Sequence, residues 1–229
     1  MSTPTKMTRR SLLQVGLGVA AGAATGNLLA EATDTGTACE TPAQTEGPFY
    51  PQHAQADRDL DLTLIRGHAE RAEGDIIYVS GLVLDDQYKP VPGALVDVWQ
   101  ANKHGRYRHE RDPNPAPLDA NFQGWGQIRT DDRGRYTFKT IIPGAYPVDA
   151  HWWRPPHIHF KVSKRGYHEL TTQMYFTGHA LNEKDGILLA LPEAERGKVI
   201  VEFSEGSAEH EPGAKRGEFN IMLRRLRRG

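Results

Sequence analysis

The chain has 229 residues, 38% of them hydrophobic and 25% charged, with a formal net charge of −1. That is enough apolar content for one good core, and so balanced a charge excludes a global field for nucleic acid or membrane. Its single cysteine, Cys39, rules out an intrachain disulfide, so stability must come from packing or from a metal.

Thr8-Arg9-Arg10-Ser11-Leu12-Leu13 sets paired arginines before a mildly apolar stretch, Leu12 to Ala30. Ala30-Glu31-Ala32 then supplies small residues at cleavage-type spacing. Residues 1–32 resemble a twin-arginine export signal, which predicts a periplasmic or extracellular protein. The stretch is too rich in Gly and Ala to favour a stable membrane span. Gly36-Thr37-Ala38-Cys39 is a poor lipoprotein box, because Gly36 stands where an aliphatic residue is expected. A flexible linker over 33–44 and a single domain over 45–229 complete the expected organisation, with no integral span in the mature chain.

From Asp75 onward the pattern has period two with repeated turn punctuation. The expected strands are Ile76–Leu84, Ala94–Gln100, Arg135–Ile141, Ile158–Val162, Thr172–Phe176, Val199–Phe203 and Phe219–Leu223. Asp85-Asp86-Gln87, Asp131-Asp132-Arg133-Gly134, Pro143-Gly144 and Lys164-Arg165-Gly166 are the expected turns. A short helix or two is expected within Glu183 to Arg196. The best fit is an all-β antiparallel sandwich with little helix. His104 to Gln127 is long, polar and interrupted by Pro113, Pro115 and Pro117, and loops of this kind are often functional.

The sharpest chemical signal is Arg154-Pro155-Pro156-His157-Ile158-His159-Phe160-Lys161-Val162. Residues two apart share a face of a strand, so His157 and His159 point together, with Ile158, Phe160 and Val162 on the other side. Such a pair suits a metal, while two surface histidines on an edge strand are the plain alternative. No cysteine lies near by for a thiolate zinc site, and the histidine strand lacks the carboxylate of a facial iron triad. The neighbourhood offers tyrosine: Tyr146, eleven residues upstream, and Tyr107, at the start of the long loop. A free phenol has a pKa of about 10, so phenolate ligation near neutrality needs a strongly Lewis-acidic cation such as ferric iron. Taken singly, each tyrosine is as well explained as a wall residue with a bonded hydroxyl.

Asp97-Val98-Trp99-Gln100-Ala101-Asn102 with Gly105-Arg106-Tyr107 resembles the first-tyrosine segment of the intradiol ring-cleavage dioxygenases. Pro143-Gly144-Ala145-Tyr146-Pro147, Trp153 to His159, Thr172-Gln173-Met174-Tyr175-Phe176 and Thr45-Glu46-Gly47-Pro48-Phe49-Tyr50-Pro51 extend the resemblance in order over Thr45 to Phe203. It is strongest to the iron-bearing subunit of protocatechuate 3,4-dioxygenases and its single-chain homologues. The catechol and hydroxyquinol enzymes carry an N-terminal helical region for which residues 32–45 leave no room.

The resemblance implies Fe(III) held by Tyr107, Tyr146, His157 and His159, acting on an aromatic diol and O2 to give a muconate-type diacid. It implies that Tyr146 leaves its ligand position to take a substrate proton. Arg154 would stabilise negative charge on the ring, and Gln173 would orient Arg154 or the substrate. Tyr50 and Trp99 would wall the aromatic pocket. Val148 stands where the typical protocatechuate enzyme carries an aromatic residue, which widens the expected pocket. Because the chain has both the iron motifs and its own Thr45–Tyr50 segment, it is expected to be a self-sufficient homo-oligomer. Rival readings are an exported β-sandwich binding module with a degenerate metal site, and a hydrolase or ferrous enzyme using Asp149 or Glu169. A third, an anionic-surface role for Arg224-Arg225-Leu226-Arg227-Arg228, is usually only a solvated end.

Overall fold

The computed structural model describes residues 40–53 and 57–227. The export signal, Cys39 and most of the expected linker lie outside the described residues. The end of that linker is packed: Met222 N donates to Thr41 Oγ1 at 2.9 Å, Thr172 Oγ1 to Pro42 O at 2.8 Å, and Gln44 N to Thr171 O at 2.8 Å.

Among the described residues, twelve strands form two five-stranded sheets and one short ribbon. The first sheet is built on β1 (Ile76–Asp85), which pairs antiparallel with β4 (Arg135–Ile141). Its other edge takes β11 (Lys215–Glu218) and then β12 (Ile221–Leu223), both parallel to it, and β10 (Phe203–Glu205) pairs β11. The second sheet runs β3 (Trp125–Arg129), β2 (Leu95–Trp99), β7 (His157–Ser163), β8 (Leu170–Phe176), β9 (Ile200–Val201).

All-β and sheet-rich as expected, the molecule departs from a purely antiparallel scheme. Strands β11 and β12 run parallel to β1, and β9 runs parallel to β8. Alternation of apolar residues marks a buried face but carries no information on strand direction. The long connection from β8 to β9 allows either direction, and β12 follows β11 across only Phe219 and Asn220, so the two share one direction along β1. Strand β3 was not expected. Gly126 and the polar Gln127 and Arg129 hide its alternation, and it closes the long loop at Trp125 rather than at Gln127.

The core lies between the sheets. Ile77, Val79 and Val83 of β1 and Phe138 of β4 face Val96 and Val98 of β2 and Ile158, Phe160 and Val162 of β7. Phe160 meets Phe138 at 6.0 Å and Phe219 at 4.9 Å, ring to ring. Each such buried side chain contributes roughly 1.5–3 kcal/mol of apolar transfer. Between β8 and β9 the chain makes a 3-10 turn, Ala180–Lys184, and two single-turn helices, α1 (Gly186–Leu189) and α2 (Glu193–Arg196).

Candidate metal centre

Strand β7 is flanked by β2 and β8, so His157 and His159 sit on an inner strand and not on an edge. Their neighbours on β7 fill the core, which commits both imidazoles to the opposite face. That face is covered as well: the two rings are only 2% and 3% exposed. The cover is a second apolar cluster of Trp99, Tyr107, Trp125 and Tyr146, with Phe49 and Tyr50 packed against it.

Two glycines bring the tyrosines together. Gly105, at φ +78°, and Gly144 press backbone on backbone: a Cβ on Gly105 would fall 2.3 Å from Ala145 O, and one on Gly144 would fall 2.4 Å from Lys103 O. Both amides donate to Asn102 O, at 3.0 and 2.9 Å. The contact locks the loop carrying Tyr107 against the turn carrying Tyr146. Beyond it, Asp112 Oδ2 accepts from Tyr107 N at 2.6 Å and pins the loop. Tyr146 then enters a ribbon of β5 (Tyr146–Pro147) and β6 (Trp153–Arg154), with Tyr146 directly opposite Arg154.

The donor atoms converge. His157 Nδ1 lies 2.7 Å from Pro155 O, and a carbonyl can only accept, so Nδ1 carries the proton and Nε2 presents a lone pair. That Nε2 is 3.1 Å from His159 Nε2 and 3.4 Å from the Tyr107 hydroxyl. The Tyr146 ring stands edge-on to Tyr107, centroids 5.6 Å apart, and 5.7 Å from His157. Trp99 lies flat against His159, and Phe49 rests on Tyr107 at 4.8 Å.

Burial pushes both imidazoles well below their ordinary pKa, and the nearby Arg154 charge pushes the same way, so both are neutral near pH 7. Burial raises Tyr107 well above an ordinary phenol, with the adjacent Tyr146 adding to it. Tyr146 is also raised by burial, although Arg154 pulls it down. Among the described residues no three His, Cys, Asp or Glu side chains gather as a metal-binding group, so a metal held by this pair would need donors of another kind. Two neutral imidazoles and two buried phenols suit a hard, highly charged cation: the nitrogens need lose no proton, and only a strong Lewis acid would ionise the phenols.

Arg154 is 4% exposed and tied on two sides. Its Nε donates to Asp185 Oδ1 at 2.8 Å, and Nη2 donates to Gln173 Oε1 at 2.5 Å and to the Tyr175 hydroxyl at 3.2 Å. Gln173 is held by donating from Nε2 to Thr45 O at 2.9 Å, and Gln44 bridges Gln173 N and the Tyr175 hydroxyl. Burial would lower the arginine pKa, yet Tyr146, Tyr175 and Asp185 raise it, so the guanidinium stays charged.

The structure thus gathers Tyr107, Tyr146, His157, His159, Arg154 and Gln173 in one place. Trp99 is there too, as a plate on His159, whereas Tyr50 meets the edge of Trp99 at 4.9 Å and lies near Lys161 rather than against the histidines. Asp149 caps the His151 and Trp152 amides, and exposed Glu169 lies near Lys161; these contacts place neither with the histidines. Arg225 pairs with Asp85 and Arg224 with Glu40, so the basic end is partly spent on structure. Sequence reasoning missed Gln44, Phe49, Tyr175 and Asp185 as neighbours of the site. Asp185 did leave a signal, an acid directly before the short apolar run Gly186–Leu189 where it caps α1.

A family model described as Dioxygenase matches residues 45–225. The protocatechuate 3,4-dioxygenase beta chain of Burkholderia cepacia is 46% identical over 180 residues, which cover 77% of this chain and 76% of that one. Catechol 1,2-dioxygenase 2 of Acinetobacter lwoffii is 32% identical over 179 residues, and the chain spans only 60% of its length. Among solved structures, the dioxygenase domain of a dioxygenase carbohydrate-binding protein fusion from Streptomyces sp. SirexAA-E superposes with a TM-score of 0.61 at 27% identity, covering 82% of this chain and 99% of that one.

Proposed function

Because the chain belongs to the intradiol ring-cleavage dioxygenase family and so opens catechol-type diols with O2, we propose that it does so with ferric iron held by Tyr107, Tyr146, His157 and His159. The observation that carries this reading is that His159 Nε2 and the Tyr107 hydroxyl both lie within 3.4 Å of His157 Nε2, with Tyr146 beside them. Bound there, ferric iron would supply the Lewis acidity that ionises the phenols and favours the anionic form of a diol.

The residues of the chain do the rest. Tyr107, pinned through its amide by Asp112, serves as the permanent phenolate. Tyr146 sits at the start of a two-residue ribbon and is the freer of the two, so it takes a proton from the incoming diol. Arg154 keeps its charge at any working pH and stabilises the negative charge that builds on the ring. Phe49 and Trp99 cover the donors with apolar surface and keep water out. Both atoms of O2 enter the product, a muconate-type diacid, and no external reductant is consumed.

The substrate is a substituted catechol of the protocatechuate type, a reading supported by the 46% identity to a protocatechuate 3,4-dioxygenase chain. Val148 lies exposed beyond the ribbon and does not cap the site. We also propose a homo-oligomer without a second kind of subunit, since Phe49 of the chain's own Thr45–Tyr50 segment covers its own tyrosines. Export through the paired arginines Arg9 and Arg10 to the periplasm or beyond completes the proposal. The test is to load the purified chain with iron and follow oxygen uptake and product over a panel of substituted catechols. Red-brown protein that cleaves some of them is the expected result, and colourless, inert protein would refute it.

A further inference from the structure

Asp185 is fully buried beside the centre, and the mechanism above leaves it without a task. A carboxylate this far from water persists only when its oxygens are paired. Its oxygens are divided: Oδ1 accepts from Arg154 Nε at 2.8 Å, while Oδ2 accepts from Leu188 N at 3.1 Å and from Arg154 Nη2 at 3.5 Å. The guanidinium is a rigid plane with three nitrogen corners. Asp185 holds the Nε corner, and Gln173 and Tyr175 hold Nη2. Nη1 makes no hydrogen bond to any described residue.

We propose that Asp185 is a positioning residue for ring cleavage: it fixes the plane of the Arg154 guanidinium so that the free Nη1 edge is presented to the substrate. This rests on the reading that Arg154 stabilises charge on the ring. Asp185 caps α1, accepting from Leu188 N, and Gly186, the first residue of α1, lies beside Trp152. The Trp152 ring in turn lies 5.9 Å from the guanidinium carbon. Tyr146, opposite Arg154 in the ribbon, is held in register with this unit. A neutral amide at 185 replaces one of the two acceptor oxygens with an NH2 donor, so either Arg154 Nε or Leu188 N loses its partner, and the charge facing the guanidinium is removed.

The experiment is a cycle of four iron-loaded proteins: parent, Asp185→Asn, Arg154→Lys and the double variant. Lysine keeps the charge that Asp185 needs but presents no plane to orient. Asp185→Asn is expected to lower kcat about 10- to 100-fold, with KM, iron content and tyrosinate absorption unchanged. In the Arg154→Lys background the same substitution is expected to change kcat by less than about threefold. An Asp185→Asn enzyme within about twofold of the parent, or one equally impaired in both backgrounds, overturns the proposal. A loss that tracks only α1 capping would give the second of these results. If Asp185→Asn does not accumulate folded, Asp185→Glu, which keeps the charge but displaces the guanidinium, is read in the same cycle against the same thresholds. Parental kcat in Arg154→Lys would overturn the arginine reading itself, whereas an impaired Arg154→Lys beside an unimpaired Asp185→Asn overturns only the positioning role.

Discussion

Trp99 lies flat on the imidazole of His159, with ring centroids 4.7 Å apart and planes 9° from parallel. The indole is 1% exposed and sits directly across the β2–β7 ladder from the histidine it covers. Among the described residues nothing accepts a hydrogen bond from His159 Nδ1, which leaves the stack as the contact that lies along the plane of the ring. Trp99→Leu is expected to lower iron affinity about 10- to 100-fold, as loss of ligand support does. It should also cost roughly 3 kcal/mol of stability through the void left behind. Metal titration and thermal unfolding measure the two effects separately. Unchanged iron affinity would show that other contacts orient His159.

The glycine contact that joins the two tyrosine loops gives a second prediction. A methyl on Gly144 would meet Lys103 O at 2.4 Å and Gly105 N at 2.5 Å, both backbone atoms that cannot rotate away. Gly144→Ala is expected to force the loops apart, destabilise the fold by about 1–3 kcal/mol and abolish the tyrosinate colour. A coloured variant of parental stability would show that the loops are not coupled there.

Tyr146→Phe removes the hydroxyl and keeps the ring that packs against Tyr107 and Phe49. Turnover is expected to fall more than iron binding, because Tyr107, His157 and His159 remain. The pH dependence of binding reports on the same group. Burial raises both phenols above their ordinary pKa, so each must lose a proton when metal enters, and iron retention rises with pH. Tyr146→Phe should make that slope shallower by one proton. Loss of all iron in this variant, or an unchanged slope, would count against Tyr146 as ligand and base.

Away from the site, Arg71 and Lys139 hold the Glu211 carboxyl down to about 2, from an ordinary value of 4.5. A depressed folded pKa stabilises the protein at pH values above the unfolded one. That contribution is lost as pH falls from about 4.5 toward 2. Glu211→Gln is expected to lower the melting temperature at pH 7 by about 2–4 °C, the shift that ~1 kcal/mol gives at this size. Parent and variant should converge near pH 2, and a constant difference across the range would exclude the linkage.

The centre was legible in part. A strand period of two brought His157 and His159 to one face, and core packing of Ile158, Phe160 and Val162 is what enforces it. Pairing Tyr107 and Tyr146 with them needed the family resemblance, because the contact that unites them is backbone on backbone at Gly105 and Gly144 and has no periodicity. Strand β3 escaped notice for a related reason: its Trp125 and Gln127 side chains turn to Asp97 on the neighbouring strand, which makes polar residues part of a buried ladder. The parallel pairings of β1 and the reach of Gln44 and Asp185 into the site depend on long connections, and no local pattern records where a connection leads.

Gln44 hydrogen-bonds a tyrosine 131 positions away in the chain. Tyr107 and His157 are 50 apart, and Arg154 and Asp185 are 31 apart. Loop closures of this length come late in folding, and the early segments of the chain cannot hold a metal on their own. Colour from bound iron would therefore report completed tertiary assembly, making it a built-in refolding assay. It also orders events in the cell: the cofactor can be loaded only into a finished domain. If the chain is exported through Arg9 and Arg10 as proposed, loading iron before transport would require a route that carries folded protein.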